Sequence, residues 1–127
     1  LILTIAQRLA SQICPGTGKP KPIDGSLKVM IDKQFADLPE AFRSEIPVTN
    51  EMLEAESTPQ CPKGTKGRIA IFEMFEMNSE IEQIILHNPI ESEVYKVARK
   101  NGLVTVREDA LIKAMQKVIP FEEINQF

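Results

Sequence analysis

Apolar residues at the start of the chain recur every three or four positions, with polar residues between them. They are Ile2, Ile5, Ala6, Leu9 and Ile13. This spacing predicts an amphipathic helix over residues 2–13. Three prolines and three glycines interrupt any regular period between Pro15 and Gly25, which predicts a loop after Cys14.

A second amphipathic helix is predicted to begin at a Ser26 cap and to end at Leu38-Pro39, with a short helix following through Phe42. Its apolar face carries Leu27, Met30, Ile31 and Phe35. Prolines and glycines then break the pattern between residues 46 and 67, which favours irregular structure. Only residues 52–55 suit a helical turn or a brief strand.

The pattern changes at Arg68 to a nearly continuous apolar run. Residues 69–72, Met74 and Phe75 are mostly β-branched or aromatic, which predicts a strand buried on both faces. A single strand leaves its backbone N–H and C=O groups without partners. Because the sequence offers no second convincing strand, we expect the rest of the sheet to lie outside it, in a longer protein.

The last fifty residues predict three helices and a short fourth, joined by tight turns. Two capping boxes open helices, formed by Ser79 with Glu82 and by Thr105 with Glu108. The first helix is predicted to end at Asn88-Pro89. Gly102 supplies a left-handed stop for the second, with Leu103 packing back on the preceding turn. Pro120 closes the third, and residues 121–127 form a final helical turn.

Composition places the chain among soluble globular proteins of one-domain size. It has 127 residues, of which 43% are hydrophobic and 26% charged. Its net charge of -3 and the lack of a basic stripe argue against nucleic-acid binding. No apolar run is long enough to span a membrane, and residues 1–5 lack the basic flank of a signal peptide, so we predict a cytoplasmic protein.

No catalytic or cofactor-binding residue is predicted. The segment from Gly16 to Lys19 comes nearest to a phosphate-binding loop, but Pro20 follows the lysine and no strand precedes the glycines. His87, the single histidine, is predicted at a helix end, where its charge would suit the helix dipole. Glu73 and Glu76 flank apolar residues, and spacing alone does not separate a general base from a solvated edge. A small enzyme using Glu73 or His87 therefore stays a minor alternative.

The two cysteines, Cys14 and Cys61, are too few for a disulfide framework and too far apart in sequence for a local metal clip. A reducing cytoplasm favours free thiols. Pairing across the intervening loop and a remnant of a metal site remain open alternatives.

Several stretches together resemble the C-terminal part of the type II secretion and type IV pilus assembly ATPases. They are residues 6–9 with 13–15, residues 61–63 with 66–73, and residues 102–111 with 119–124. They occur in the order that the family shows and span nearly the whole chain. No single one of these motifs is specific, whereas their combination is.

The resemblance implies a mostly α fold with a minor β component. It would contain the last strand of a RecA-like core, an insertion subdomain and a C-terminal helical bundle. The implied division is a helix of the motor core at residues 1–13, the equivalent of the family's zinc-binding insertion at 14–66, the core strand at 67–77, and the C-terminal helical domain at 78–127.

The resemblance also implies a function. The chain would be a structural and assembly portion of a hexameric ATPase that powers pilus assembly or protein secretion, without enzymatic activity of its own. ATP and magnesium would bind upstream of it. Its partners would be other subunits of the homohexamer and an inner-membrane platform protein, and the isolated chain would self-associate through exposed apolar surface. The alternative is a self-contained helical protein-protein interaction module, with a groove in residues 79–127.

One departure from the family concerns zinc, which the family binds through two C-x-x-C pairs. Here Thr17 and Gly64 occupy the second place of each pair, leaving Cys14 and Cys61 as degenerate zinc positions, so we predict no zinc. Both ends of the insertion should return close together, which would allow the cysteines to touch. The insertion would then either remain mobile or rely on its own small core, consisting of Leu27, Met30, Ile31, Phe35, Leu38 and Phe42.

Overall fold

The computed structural model describes residues 3–47, 49–87 and 89–127. In chain order the elements are β1 (Leu3–Ile13), β2 (Lys19–Pro22), α1 (Gly25–Gln34), α2 (Glu40–Arg43), β3 (Glu51–Glu54), β4 (Thr65–Glu76), α3 (Ser79–His87), α4 (Glu91–Lys100), α5 (Val106–Met115) and a final 3₁₀ helix (Phe121–Gln126). About 40% of the residues are helical and 26% lie in strands. The predicted mostly α fold with a minor β component is therefore wrong.

In the described part of the chain, no helix has the length and apolar character needed to cross a bilayer.

The first segment is a strand, and the predicted helix at residues 2–13 is wrong. β1 pairs antiparallel with β4, placing Ile5 opposite Met74 and Ala10 opposite Ile69. Apolar spacing in this short segment fits a helix, but pairing with a strand far along the chain decides its conformation, and a local pattern cannot show that pairing. Ile2, which we assigned to the helix, lies outside the described residues.

The predicted strand near residue 70 is confirmed as β4, whereas its predicted surroundings are wrong. One edge pairs with β1, so β4 finds a partner strand within the sequence. On its second edge, the Phe72 N–H donates to the Asp109 carboxylate of α5 at 2.8 Å. Ile71 is fully buried while Phe72 and Met74 on the opposite face are exposed. The structure therefore shows a two-stranded antiparallel ribbon and not the RecA-like core strand that we predicted.

A second small sheet joins β2 to β3, with Pro20 opposite Leu53. β2 lies in the stretch that we predicted as a loop, because proline suits an edge strand whose N–H groups face away from the partner. The brief strand that we considered at residues 52–55 is confirmed as β3.

The main core draws on nearly every part of the chain. Its buried members are Ala10, Ile31, Phe35, Leu38, Met52, Ile71, Ala110, Leu111, Ala114, Met115, Ile119 and Ile124. The predicted insertion therefore packs its apolar residues against β1, β4 and α5, and the expectation of a separate small core is wrong. Phe42, expected in that core, is 37% exposed. The division of the chain into domains stays a prediction.

The C-terminal helices do not form the predicted bundle. α3 and α4 pack on one another around a second cluster consisting of Ile81, Val97, Ala98 and Leu103. α5 instead packs against β1, β3, β4 and the final 3₁₀ helix. The broad apolar face that we predicted for α5 is buried, but the sheets and the 3₁₀ helix cover it.

The cap of α3 lies one residue before the predicted one. The side-chain oxygen of Asn78 accepts a hydrogen bond from the Ile81 N–H at 2.8 Å, which makes Asn78 the N-cap in place of Ser79. Either residue type can cap a helix, so sequence alone did not separate the two neighbours. Asn88, which we predicted to end this helix, lies outside the described residues.

The predicted boundaries between α4 and α5 are confirmed. Gly102 has a φ of 96°, and the Leu103 N–H donates to the Ala98 carbonyl at 3.0 Å, as a Schellman stop requires. Thr105 and Glu108 form both hydrogen bonds of the capping box. This turn delivers Glu108 to the buried polar centre described below.

Candidate functional site

One face of the β1–β4 ribbon is apolar and open to solvent. This exposed sheet face consists of Ile5, Leu9, Phe72 and Met74, which are 55%, 50%, 38% and 49% exposed. Ile5 lies directly opposite Met74, and the polar Gln7 lies opposite Phe72 on the same face. Exposed apolar side chains grouped on one surface are typical of sites that contact another polypeptide.

The acidic residues near β4 hold it against α5. Glu73, which we considered as a general base, accepts a hydrogen bond from the Val106 N–H at 3.1 Å. A carboxylate at a helix N-terminus is favoured by the helix dipole. Asp109 accepts from the Phe72 N–H and forms an ion pair with Lys113 at 2.8 Å. These contacts assign Glu73 and Asp109 structural roles, while the side chain of Glu76 is exposed.

A buried ion pair lies between α4 and α5. Arg99 is 2% exposed and Glu108 is fully buried. The guanidinium binds the carboxylate in a bidentate manner, with Nη1 at 2.6 Å from Oε1 and Nη2 at 2.9 Å from Oε2. Arg99 also donates to the Leu103 carbonyl at 2.7 Å and the Gln34 carbonyl at 3.0 Å. The planar guanidinium fork suits this geometry and lysine does not.

Further polar groups complete this centre. The Gln34 amide donates to Glu108 at 2.8 Å, and the Thr105 N–H donates to the same carboxylate at 2.9 Å. Asp37 accepts from Arg99 Nε at 3.0 Å and from the Tyr95 hydroxyl at 3.1 Å. In the described part of the chain no buried side-chain nitrogen or oxygen lacks a partner. We define the Arg99 centre as Gln34, Asp37, Tyr95, Arg99, Thr105 and Glu108.

The environment shifts the pKa of two groups in the Arg99 centre. Burial raises the pKa of Tyr95 above its ordinary value of 10.0, and its hydrogen bond to Asp37 acts in the same direction. Burial alone would lower the pKa of Arg99, but the hydrogen bonds and charge of Glu108 outweigh it and raise that pKa further. The guanidinium therefore stays charged and binds α1, α4 and α5 together.

Most of this centre was not predicted from the sequence. We assigned Glu108 only to a capping box and did not single out Arg99 or Asp37. Local helical spacing carried no signal for Arg99, because it follows Val97 by two positions and so lies away from the apolar stripe of its helix.

The two cysteines are joined in the structure as a disulfide, with their Cα atoms 6.6 Å apart. The free-thiol interpretation is therefore wrong, and pairing across the loop is observed. Thr17 and Gly64 occupy the second place of each former pair, so the two turns offer two thiolates where a structural zinc site needs four ligands. No cluster of three or more candidate metal ligands occurs among residues 3–47, 49–87 and 89–127. That the protein binds no zinc stays a prediction.

The remaining candidates do not assemble into a site. The glycine segment after Cys14 is a turn in which the Thr17 hydroxyl donates to the Cys14 carbonyl at 2.8 Å, and Lys19 begins β2. A phosphate-binding loop would instead lead from a strand into a helix. His87 is exposed at the end of α3, with Nε2 at 2.9 Å from the Gln83 side-chain oxygen.

Comparison with known proteins gives these features a context. The sequence profile of the family described as Type II/IV secretion system protein matches residues 1–126. The type IV pilus assembly ATPase PilB of Pseudomonas aeruginosa is 29% identical over 124 residues, and that of Acinetobacter baylyi is 30% identical over 124 residues. Each alignment covers 98% of this chain and 20% of the relative.

A third relative, the type II secretion system protein E of Xanthomonas campestris pv. campestris, is 34% identical over 68 residues, covering 54% of this chain and 12% of its own length. The chain thus spans about a fifth of the first two relatives. Because the family profile matches almost every residue, the chain belongs to the type II/IV secretion system protein family.

Proposed function

We propose that this chain is the C-terminal structural and assembly portion of a hexameric ATPase that powers type IV pilus assembly or type II protein secretion. The observation that carries the proposal is the match over residues 1–126, together with relatives named as pilus assembly ATPases that are about five times longer. ATP and magnesium would bind in the preceding part of the longer protein. The chain itself would hydrolyse no ATP.

The exposed sheet face is the surface through which the chain would join that longer protein. Four large apolar side chains there are 38% to 55% exposed, whereas the opposite face of β4 packs Ile71 into the core. Burying such side chains stabilises a contact by about 25 cal/mol for each Å² removed from water. We therefore propose that the preceding part of the longer polypeptide covers this face.

The Arg99 centre would let the chain transmit movement. Its hydrogen bonds join α1, α4 and α5, and its buried polar groups all have partners. Helices held in this way move together and do not slide past one another. In the proposed machine, the chain would pass motion between neighbouring subunits of the homohexamer and to an inner-membrane platform protein. It would lie in the cytoplasm and reach the membrane through that partner.

The self-association of the isolated chain tests the role of the exposed sheet face. We expect light scattering after size-exclusion chromatography to show association that grows with concentration. Replacing Phe72 and Met74 together by serine should yield a monomer. Leu86→Ser is the matched control, because Leu86 is 65% exposed on α3, outside the ribbon, and its loss should leave association unchanged. A wild-type chain that stays monomeric at high concentration would contradict this role.

ATP hydrolysis by the longer protein tests the function itself. We expect the Phe72→Ser, Met74→Ser pair to reduce both hexamer formation and ATP turnover, and Leu86→Ser to leave both near the wild-type level. Hydrolysis by the isolated chain, or full activity of a longer protein whose exposed sheet face carries the two serines, would refute the proposal.

A further inference from the structure

We propose that Cys14 and Cys61 form a thiol–disulfide redox site, which a small-molecule disulfide such as oxidised glutathione closes reversibly. The residues between them, 15–60, are the bridged segment. This inference goes beyond the proposed function and does not depend on it. It rests on the place of the two cysteines in the fold and on the contacts around them.

Each of the two cysteines has one possible disulfide partner within the sequence. They are the only cysteines in the sequence, they are bonded to one another, and 47 positions separate them. Cys14 is 3% exposed and Cys61 is 8% exposed. Oxidation within these 127 residues therefore has one intramolecular disulfide product.

Backbone contacts keep the two sites together without the bond. The Cys14 N–H donates to the Gly64 carbonyl at 3.3 Å, and Ile13 pairs with Thr65 at the end of the ribbon. Cys61 and Thr58 exchange N–H to carbonyl hydrogen bonds at 3.0 Å each. After reduction the thiols would therefore stay adjacent, which favours reclosure because the second step occurs within one molecule.

A surface depression on one side of the protein gives small reagents access to the two cysteines. This depression of about 440 Å³ is lined by both cysteines, by Thr17 and Thr58, and by Lys66. A lysine near a thiol favours the thiolate, which is the attacking species in disulfide exchange. The depression therefore combines access with positive charge.

The chemistry balances with the disulfide RSSR as oxidant. One cysteine thiolate attacks a sulfur of RSSR, forming a mixed disulfide and releasing RS⁻. The second cysteine thiolate attacks the protein sulfur of that mixed disulfide, which forms the Cys14–Cys61 bond and releases the second RS⁻. The protein loses two electrons and two protons, and RSSR becomes two RSH. Excess RSH reverses both steps.

Closing the bond would change how often the bridged segment opens. α1 lies within this segment, and Ile31, Phe35 and Leu38 enter the main core from it. A covalent tie between the ends restricts the open states of such a segment more than its closed state. The redox state would therefore set the rate of local unfolding of α1, including the contacts that Gln34 and Asp37 make with Arg99.

Redox equilibration tests whether the site is reversible. The protein is held in glutathione buffers of graded composition, free thiols are alkylated, and mass spectrometry counts them. We expect the oxidised fraction to rise smoothly from reduced to oxidised buffers and to reach the same value from either direction. Lys66→Gln should slow oxidation several-fold and leave the final fraction unchanged. A protein that stays oxidised, or stays reduced, throughout the series would overturn the proposal.

Hydrogen exchange tests the consequence for the bridged segment. In the oxidised protein we expect amides of α1 to exchange at least about tenfold more slowly than in the reduced protein. Amides of α3 serve as the internal control and should not change. Cys61→Ser should exchange like the reduced protein in every buffer, and if that variant fails to fold, reduced wild-type protein gives the same comparison. Equal exchange of α1 in both redox states would refute the effect on local unfolding.

Discussion

Replacing Arg99 by methionine should lower the free energy of unfolding by about 3–5 kcal/mol. The side chain makes five hydrogen bonds, two of them to the carboxylate of Glu108. Methionine fills most of the same volume but donates none of them. Removing one partner of a buried ion pair leaves the other as an uncompensated buried charge, which is the main source of the loss.

The surroundings of Glu108 place the expected loss within that range. Its side chain is fully buried, so water cannot replace the guanidinium without opening the core. The Gln34 amide and the Thr105 N–H remain as donors and limit the penalty. The Leu103 carbonyl loses the hydrogen bond that Arg99 gave it, which adds to the penalty.

A double-mutant cycle separates the ion pair from the loss of packing. Glu108→Gln removes the buried charge and keeps the side-chain volume. The combination of Arg99→Met with Glu108→Gln should therefore be less destabilising than the sum of the single variants, with a coupling energy of about 2 kcal/mol. Arg99→Lys is the conservative control, since it restores the charge without the bidentate fork, and it should fall between wild type and Arg99→Met.

Urea unfolding followed by circular dichroism provides the measurement, because the chain contains no tryptophan. The variants are best compared in a background with Phe72→Ser and Met74→Ser, which should remain monomeric. The reasoning would be refuted if Arg99→Met came within about 1 kcal/mol of wild type, or if the single effects added without coupling.

Three other predictions follow from particular contacts. Gly102→Ala should destabilise the protein by about 2 kcal/mol in the same assay, because the φ of Gly102 is 96° and a Cβ there would lie 2.7 Å from the Phe42 ring. Adding Phe42→Ala should recover only the part of this loss that comes from the clash with the ring. Tyr95, the single tyrosine, should form tyrosinate with a pKa above 10.0. Its contribution to stability should be complete below pH 10 and disappear as pH rises through the folded pKa, which parallel absorbance and unfolding titrations would test. Reducing the Cys14–Cys61 bond, which spans 47 positions, should lower the free energy of unfolding by about 4 kcal/mol, measured by urea unfolding with and without reductant.

Features with a local cause could be predicted from the sequence. The stop at Gly102 and the capping box of Thr105 with Glu108 depend on residues within one turn of each other, so their chemistry is visible in a short window. The apolar run of β4 was also recognisable, because β-branched and aromatic residues concentrate there. The family motifs at residues 102–111 and 119–124 could also be recognised, because each lies within a short window of the sequence.

Features that depend on contacts between distant segments could not be predicted. The residues of β1 adopt a strand because β4 pairs with them, and nothing within residues 3–13 reveals that pairing. The Arg99 centre likewise draws on three helices, and its polar residues are ordinary in their local sequence. Hydrophobic periodicity describes the face of one element but not its partner.

The hydrogen bond from Phe72 to Asp109 determines how another chain can approach the ribbon. An unpaired strand edge is a template on which further strands add, and repeated addition leads to fibrous aggregates. At this point of β4 the backbone donor is already used by a carboxylate on a covering helix. A further strand would have to displace that carboxylate from the Phe72 N–H before it could pair there. The exposed sheet face can therefore contact another polypeptide, whereas this edge of β4 is protected against strand addition. This arrangement favours a complex of limited size over continued polymerisation.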